Sequence, residues 1–405
     1  MIAMFLSRYC KVVALLGAAL AMAPARAQSL KVGEVYSSLE ISTISAPNPV
    51  LGADNLVHLA YELSAVNPTR LFLTIDKVEA VDRAGKVLAS LAGTTLASMV
   101  VAQGGGTRLA PGASAYIFVD VALAAGSPLP LQVAPRITLT RQLADAAGKP
   151  AAFPADEPLP ATVTFTGLAT KVGTSPAVVL APPLRGNAWV AINGCCASVT
   201  SHRGAVMAIN GQLRVPERFA IDWVQLDSKD RLYAGDIATL ASYPYFGASV
   251  LAVANGTVVN RYDQASEQVP GAPAKGITTE NIGGNMLVID IGGGHYVFYA
   301  HLQPGSLKVK LGDKVKTGEV LALLGNTGNS DAPHLHFHVM DGPSPLDAHG
   351  LPFVFAHFTG VGRMDPTSQE ALFDKGAAAV IDRSALTGPH RNQMPLNNEV
   401  VDFGS

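Results

Sequence analysis

The feature that most limits the fold is the spacing of apolar residues. Leu71, Leu73 and Ile75 alternate with Phe72, Thr74 and Asp76, and Asp82-Arg83-Ala84-Gly85 closes the run with turn chemistry. A period of two puts every second side chain on one sheet face, so residues 71–81 read as a half-buried strand. Similar runs at 55–63, 115–122 and 161–168 are separated by turn clusters. A β-sandwich of about 140 residues, spanning 28–172, is predicted from them. This block holds one histidine, His58, and no carboxylate pair at catalytic spacing, so its expected task is binding, spacing or covering another domain.

Residues 173–187 carry Pro176, Pro182 and Pro183 among small residues, which predicts a linker. The following segment, 188–358, is again almost all β, with strands expected at 249–259, 285–290, 296–299, 320–324 and 334–340 and Gly292-Gly293-Gly294 as a turn. A C-terminal extension, 359–405, shows a short helix at 368–373. Two domains suit a chain of 405 residues with 48% hydrophobic content, which exceeds what one ordinary core holds. The 39 glycines and 27 prolines fall below the low-complexity range, which excludes disorder and collagen-like repeats. Lys and Arg number 29 against 31 Asp and Glu, and no basic stripe is present to neutralise a phosphate backbone. Nucleic acid is therefore not an expected partner.

Arg8 and Lys11, an apolar run over 12–23 and Ala25-Arg26-Ala27 form the pattern of a signal peptide, 1–27. Export to the periplasm or the extracellular space is expected. As a helix the run spans about 18 Å, short of the roughly 20 residues that a bilayer requires. No membrane span is expected after its removal. Cys10 leaves with it, and Cys195 and Cys196 remain side by side. They can form a vicinal disulfide, bridge to another chain, bind metal or lie buried as small residues. No second Cys cluster completes a zinc site.

Histidine is unevenly spent. Of ten, six lie between His295 and His349, and His334, His336 and His338 alternate in His-Leu-His-Phe-His. On a strand these three imidazoles share a face, which suits metal ligation or a ligand beside a proton-handling neighbour, and also suits an exposed polar face.

Ala332-Pro333-His334-Leu335-His336-Phe337 follows Gly325-Asn326-Thr327-Gly328-Asn329-Ser330, and Tyr299-Ala300-His301-Leu302, Gly312-Asp313-Lys314-Val315 with Gly318, and Phe219-Ala220-Ile221-Asp222 stand as further blocks. In content and order these blocks resemble the lysostaphin-like zinc endopeptidases, metallopeptidase family twenty-three. The resemblance covers roughly residues 200–358. It implies a mostly β protein in which the N-terminal β-sandwich is followed by a lysostaphin-like β barrel-sandwich, the duplicated hybrid motif. It also implies an exported zinc metalloendopeptidase acting on peptidoglycan peptides. Asp222 and His336 become zinc ligands, and His301 and His334 the pair that deprotonates the attacking water. His338 stands where the family often has Glu and receives no catalytic role. The sandwich would meet a cell-wall or protein partner.

One position departs from the family. Its first ligand is a His four residues before the Asp, and Arg218 stands there. Arginine stays protonated and cannot ligate zinc. A catalytically degenerate wall-binding or hydrolase-regulating module is the alternative. The turn at 312–318 also resembles lipoyl-like and phosphotransfer carriers, but those work in the cytoplasm and the lipoyl motif is missing. For the third ligand His202 is proposed, the only histidine between His58 and His295. Asn210-Gly211 predicts a two-residue hairpin, and one residue bulged near Val215-Pro216 would pair His202 with Ala220, on the face of Asp222.

Overall fold

Alternation at Leu73 and Ile75 builds the first half of the molecule. The structure, a computed structural model, describes residues 34–154 and 156–404, so the signal segment expected at 1–27 lies outside the described residues. In the strand Phe72–Val81, Leu73 and Ile75 are buried and Asp76 is exposed. The register slips between Ile75 and Lys77, and this bulge moves the inward positions to Val78 and Ala80. The strand pairs with Gln132–Ala144 in a seven-stranded sheet. A five-stranded sheet contains Leu56–Val66 and Ser114–Ala124. Leu59, Leu63, Ile117 and Val121 of that sheet share one core with Leu73, Val78, Ile137 and Leu139 of the other. Burying each such side chain contributes about 1.5–3 kcal/mol. This is the predicted sandwich.

An eleven-stranded sheet organises the second half. Asn285–Gly292, His295–Leu302, Leu335–Met340, Ile221–Gln225, Trp189–Ile192 and Glu399–Asp402 are successive neighbours in it. Along Leu335–Met340, Leu335, Phe337 and Val339 enter the larger core with Trp223, Tyr299 and Phe353. His336 and His338 take the opposite face, against Phe298. Both faces of this strand are buried. Among the described residues the sheets stay open, and the second half is mostly β as the resemblance implies.

Segments outside the recognised blocks also form strands of the second half. Residues 173–187 contain the strand Val178–Leu180, paired in parallel with Phe353–Phe355, and Leu180 and Leu184 join the larger core. In 359–405, where the sequence marks only a helix, the helix is Gln369–Lys375 and the strands Phe358–Met364, Ile381–His390 and Glu399–Asp402 extend the sheet. Ser37–Ser405 form one compact unit. Val50 and Ala60 from the sandwich contribute to the larger core. Cys195 and Cys196 are joined by a disulfide and both are buried. Among the described residues no helix is long and apolar enough to cross a membrane.

Candidate metal centre

Strand pairing brings the first two residues of the centre together. Asp222 lies opposite His336, and Ala300 lies opposite His336 on its other side. Paired residues share a face, and His336 Nδ1 is 3.0 Å from Asp222 Oδ1. His338, two residues on and so on the same face, has Nδ1 2.9 Å from His336 Nε2.

His301 would face away if the strand simply continued. Instead it has φ +63°, a left-handed conformation uncommon for a residue with a side chain. Alternation breaks there, and its ring lies 4.5 Å from that of His334 and 5.9 Å from that of His336. The His301 Nδ1–H donates to the Thr327 carbonyl at 2.6 Å, which leaves Nε2 as the lone-pair nitrogen. His334 sits just before its strand, with Nδ1 2.8 Å from the Ala332 carbonyl and Nε2 3.4 Å from Asp222 Oδ1.

His202 reaches the same point from a turn. Its Nδ1–H donates to the Ala220 carbonyl at 3.0 Å, and its Nε2 is 3.1 Å from Asp222 Oδ2. The neighbour is the expected one but the route is not. Met207–Ile209 and Gln212–Arg214 pair in the plain register around Asn210 and Gly211, whose φ values are 49° and 79°. No bulged ladder continues to His202. The turn closed by Gly204 N on the Thr200 carbonyl carries it instead, facing a second turn closed by Ala220 N on the Glu217 carbonyl. Arg218 points elsewhere, donating to Ser45 Oγ and to the carbonyls of Ala46 and Ala60 in the sandwich.

One donor atom each from His202, Asp222 and His336 lies within 4.8 Å of the others. Donors about 2.0–2.2 Å from a tetrahedral metal sit about 3.4 Å apart, so two imidazoles and a carboxylate at these separations can hold a divalent ion. A second group, His58, Asp120 and Cys196, meets the same spacing, but its sulfur is in the disulfide and both His58 nitrogens already face carboxylates.

The electrostatics follow from burial and neighbours. Burial disfavours an imidazolium at His202, but the Asp222 charge and hydrogen bond outweigh it and hold its pKa up at about 9. Burial likewise opposes ionisation of Asp222, and the charges of His202 and His334, with hydrogen bonds from His202 and His336, overcome this and keep its carboxyl well below the usual range. Burial, aided by the charges of His334 and His336, pushes His301 well below an ordinary histidine. His338 is lowered in the same way, by burial and then by His336 and His202. Both are neutral at pH 7. The group opens onto a cleft of about 580 Å³, whose walls include Asn193, Glu217, Tyr262, Met286 and Asp331.

Sequence reading does not mark two contributors. Asn193 Nδ2 donates to Asp222 Oδ2 at 2.9 Å, and its only sequence signal is the turn-forming Asn193-Gly194 pair. Thr327 acts through its carbonyl, for which no residue type codes.

Residues 239–348 match peptidase family M23. Lysostaphin of Staphylococcus staphylolyticus is 35% identical over 107 residues, 24% of this chain and 22% of that protein. The peptidoglycan DD-endopeptidase ShyB of Vibrio cholerae is 43% identical over 65 residues, 16% of this chain and 15% of that protein. The chain spans about a fifth of the length of the curated relatives it matches. Against the solved catalytic domain of lysostaphin from Staphylococcus simulans the identity is 25% and the TM-score 0.21, covering 36% of this chain and 80% of that one. The family match holds His301, His334 and His336, while His202 and Asp222 precede it. This chain carries a domain of peptidase family M23.

Proposed function

We propose that this chain is an exported zinc metalloendopeptidase that hydrolyses peptide bonds in peptidoglycan cross-links. The observation that carries the reading is the convergence of His202, Asp222 and His336 on one point of the cleft, with His301 and His334 beside it. Relatives that include lysostaphin and a peptidoglycan DD-endopeptidase support the substrate class. In this reading residues 1–27 direct export to the periplasm or beyond, 28–172 form a sandwich that meets the cell wall or a protein partner, 173–187 connect, and 188–358 are the peptidase domain followed by the extension 359–405.

His202, Asp222 and His336 would hold the ion through the donor atoms that converge there. Zinc in that place would supply a Lewis acid for the scissile carbonyl and lower the pKa of a water to about 7. His338, kept neutral by burial, accepts from His336 Nε2–H and so keeps Nδ1 turned to the ion. His202 is fixed likewise by its Nδ1–H donated to Ala220. His301, neutral and with Nε2 free, takes the proton of the attacking water together with His334, and the pair returns it to the departing amine.

Arg218 favours a second reading, a silent wall-binding or hydrolase-regulating module, because it removes the ligand expected from the family pattern. Zinc content of the purified mature chain, measured beside hydrolysis of purified peptidoglycan, separates the two. About one equivalent with turnover supports the enzyme, whereas less than about a tenth, with no uptake on adding zinc, supports the module.

A further inference from the structure

Two buried arginines of the second half end in the sandwich, and one of them belongs to the turn that presents His202. Arg203 is 1% exposed; its Nη2 donates to the Val119 carbonyl at 2.7 Å, its Nη1 to the Cys196 carbonyl, and its guanidinium lies 5.7 Å from the Phe118 ring centre. Phe118 and Val119 lie on Ser114–Ala124, a strand of the sandwich. The Arg203 main-chain N–H is bound to Thr200 Oγ1 at 3.2 Å, and Thr200 Oγ1–H donates to the Asn193 carbonyl at 2.8 Å. Asn193 in turn holds Asp222. His202 lacks a strand ladder of its own, so its place depends on these ties.

Arg218 is the natural control. It is 2% exposed and also ends in the sandwich, with its hydrogen bonds to Ser45, Ala46 and Ala60, but it belongs to the facing Glu217–Ala220 turn, whose Ala220 carbonyl accepts from His202, and not to the turn that carries His202. Loss of either arginine loosens the seam between the two halves. Loss of Arg203 alone unties the turn that carries His202 from the sandwich strand.

We propose that Arg203 is a positioning residue for His202, and that the sandwich thereby completes the metal centre rather than only covering the peptidase domain. A ligand on a short turn keeps a single orientation only when other contacts offset the entropy of ordering it. Here those contacts are made by a strand from the other half of the chain. The inference rests on the metal-centre reading given above.

The test is zinc affinity of the mature full chain, read by competition with a chromophoric chelator. Arg203→Met is expected to weaken zinc binding by about 10- to 100-fold, as losses of groups that orient a ligand do, and Arg218→Met by no more than about 2-fold although both lower the Tm. In a His202→Ala background Arg203→Met should add no further loss, because its effect runs through the imidazole. Equal weakening by the two arginine variants, wild-type affinity in Arg203→Met, or a full additional loss in the His202→Ala background overturns the proposal. Should Arg203→Met fail to fold, Arg203→Lys and Arg218→Lys make the same comparison: a larger loss in the first supports it, equality overturns it. A wild-type chain that takes up no zinc overturns the metal-centre reading itself, whereas a zinc-binding chain indifferent to Arg203 overturns only this inference.

Discussion

His301 adopts its left-handed conformation because three bonds hold it there, one of them from Gly325 N–H to its carbonyl at 3.0 Å. Its main-chain N–H donates to the Gly283 carbonyl at 2.9 Å and its Nδ1–H to Thr327. Such a conformation costs on the order of 1–3 kcal/mol and persists where the surroundings over-determine it, commonly at functional sites. His301→Ala and His334→Ala should each retain zinc and lose turnover by about 10²- to 10⁴-fold, the range for an acid or base group. His336→Ala should lose the metal as well. Zinc content measured beside peptidoglycan hydrolysis checks this division, and full activity in either of the first two variants refutes it. A second histidine with a raised pKa lies in the sandwich. Burial works against a charged His58, but hydrogen bonds to Asp120 and Asp54 and their charges raise its pKa from 6.5 to about 9. The folded chain therefore binds that proton more tightly than the unfolded chain does. The stabilisation is complete below about pH 6.5 and is lost as the pH rises through about 9. The Tm gap between wild type and His58→Gln should narrow across that window, and a constant or widening gap contradicts the assignment.

The glycines of the Gly325-Asn326-Thr327-Gly328 loop lie in close backbone contact. A Cβ on Gly328 would lie 2.1 Å from Gly284 N, one on Gly284 2.4 Å from the Thr327 carbonyl carbon, and one on Gly325 2.6 Å from Gln303 N. Backbone cannot give way as a flexible side chain does, and Gly284 and Gly328 also have positive φ values of 60° and 76°. Because Thr327 anchors His301, Gly328→Ala should lower stability by about 2 kcal/mol or more and reduce turnover with zinc retained. Thermal unfolding, zinc content and hydrolysis measured on one preparation decide it. Other elements were only partly legible. The apolar run 249–259 forms two strands, Ser249–Leu251 and Gly256–Tyr262, because the chain between them binds elsewhere: Ala252 N to the Glu319 carbonyl and the Val253 carbonyl to Ala181 N. Gln132–Ala144 contains Pro135, which argues against an interior strand position. There the ladder uses only the proline carbonyl, which accepts from Gly167 N at 2.8 Å.

At the scale of the molecule, the docking of the sandwich explains Arg218. Its guanidinium sits 3.7 Å from the carboxylate of the fully buried Glu62, which also accepts from Ser45 Oγ. Removing one partner of a buried ion pair leaves the other charge uncompensated and costs about 3–5 kcal/mol. Arg218→His, which restores the residue type of the family pattern, should therefore destabilise the chain by that amount without tightening zinc binding. Position 218 faces the sandwich, and His202 already stands beside Asp222. Denaturant unfolding and zinc titration of the variant check both halves, and unchanged stability or a tighter site contradicts the account.

Local spacing determined which residues could share a face. The alternation of His334, His336 and His338, and the inward Leu73 and Ile75, were readable because a strand's period of two is a property of the backbone itself. The recognised blocks likewise placed Asp222, His301, His334 and His336 in one domain before any coordinate. His202 was already offered by the sequence as the histidine beside Asp222 and His336, but how it arrives there was decided only by the tertiary structure, because it rides on a turn with no periodicity to read rather than on a bulged ladder. Its neighbour Arg203 is tied to Val119, 84 residues away in sequence. Arg218 reads from the sequence as a lost ligand and from the fold as a clamp, since a contact across the seam between two halves leaves no pattern within either one.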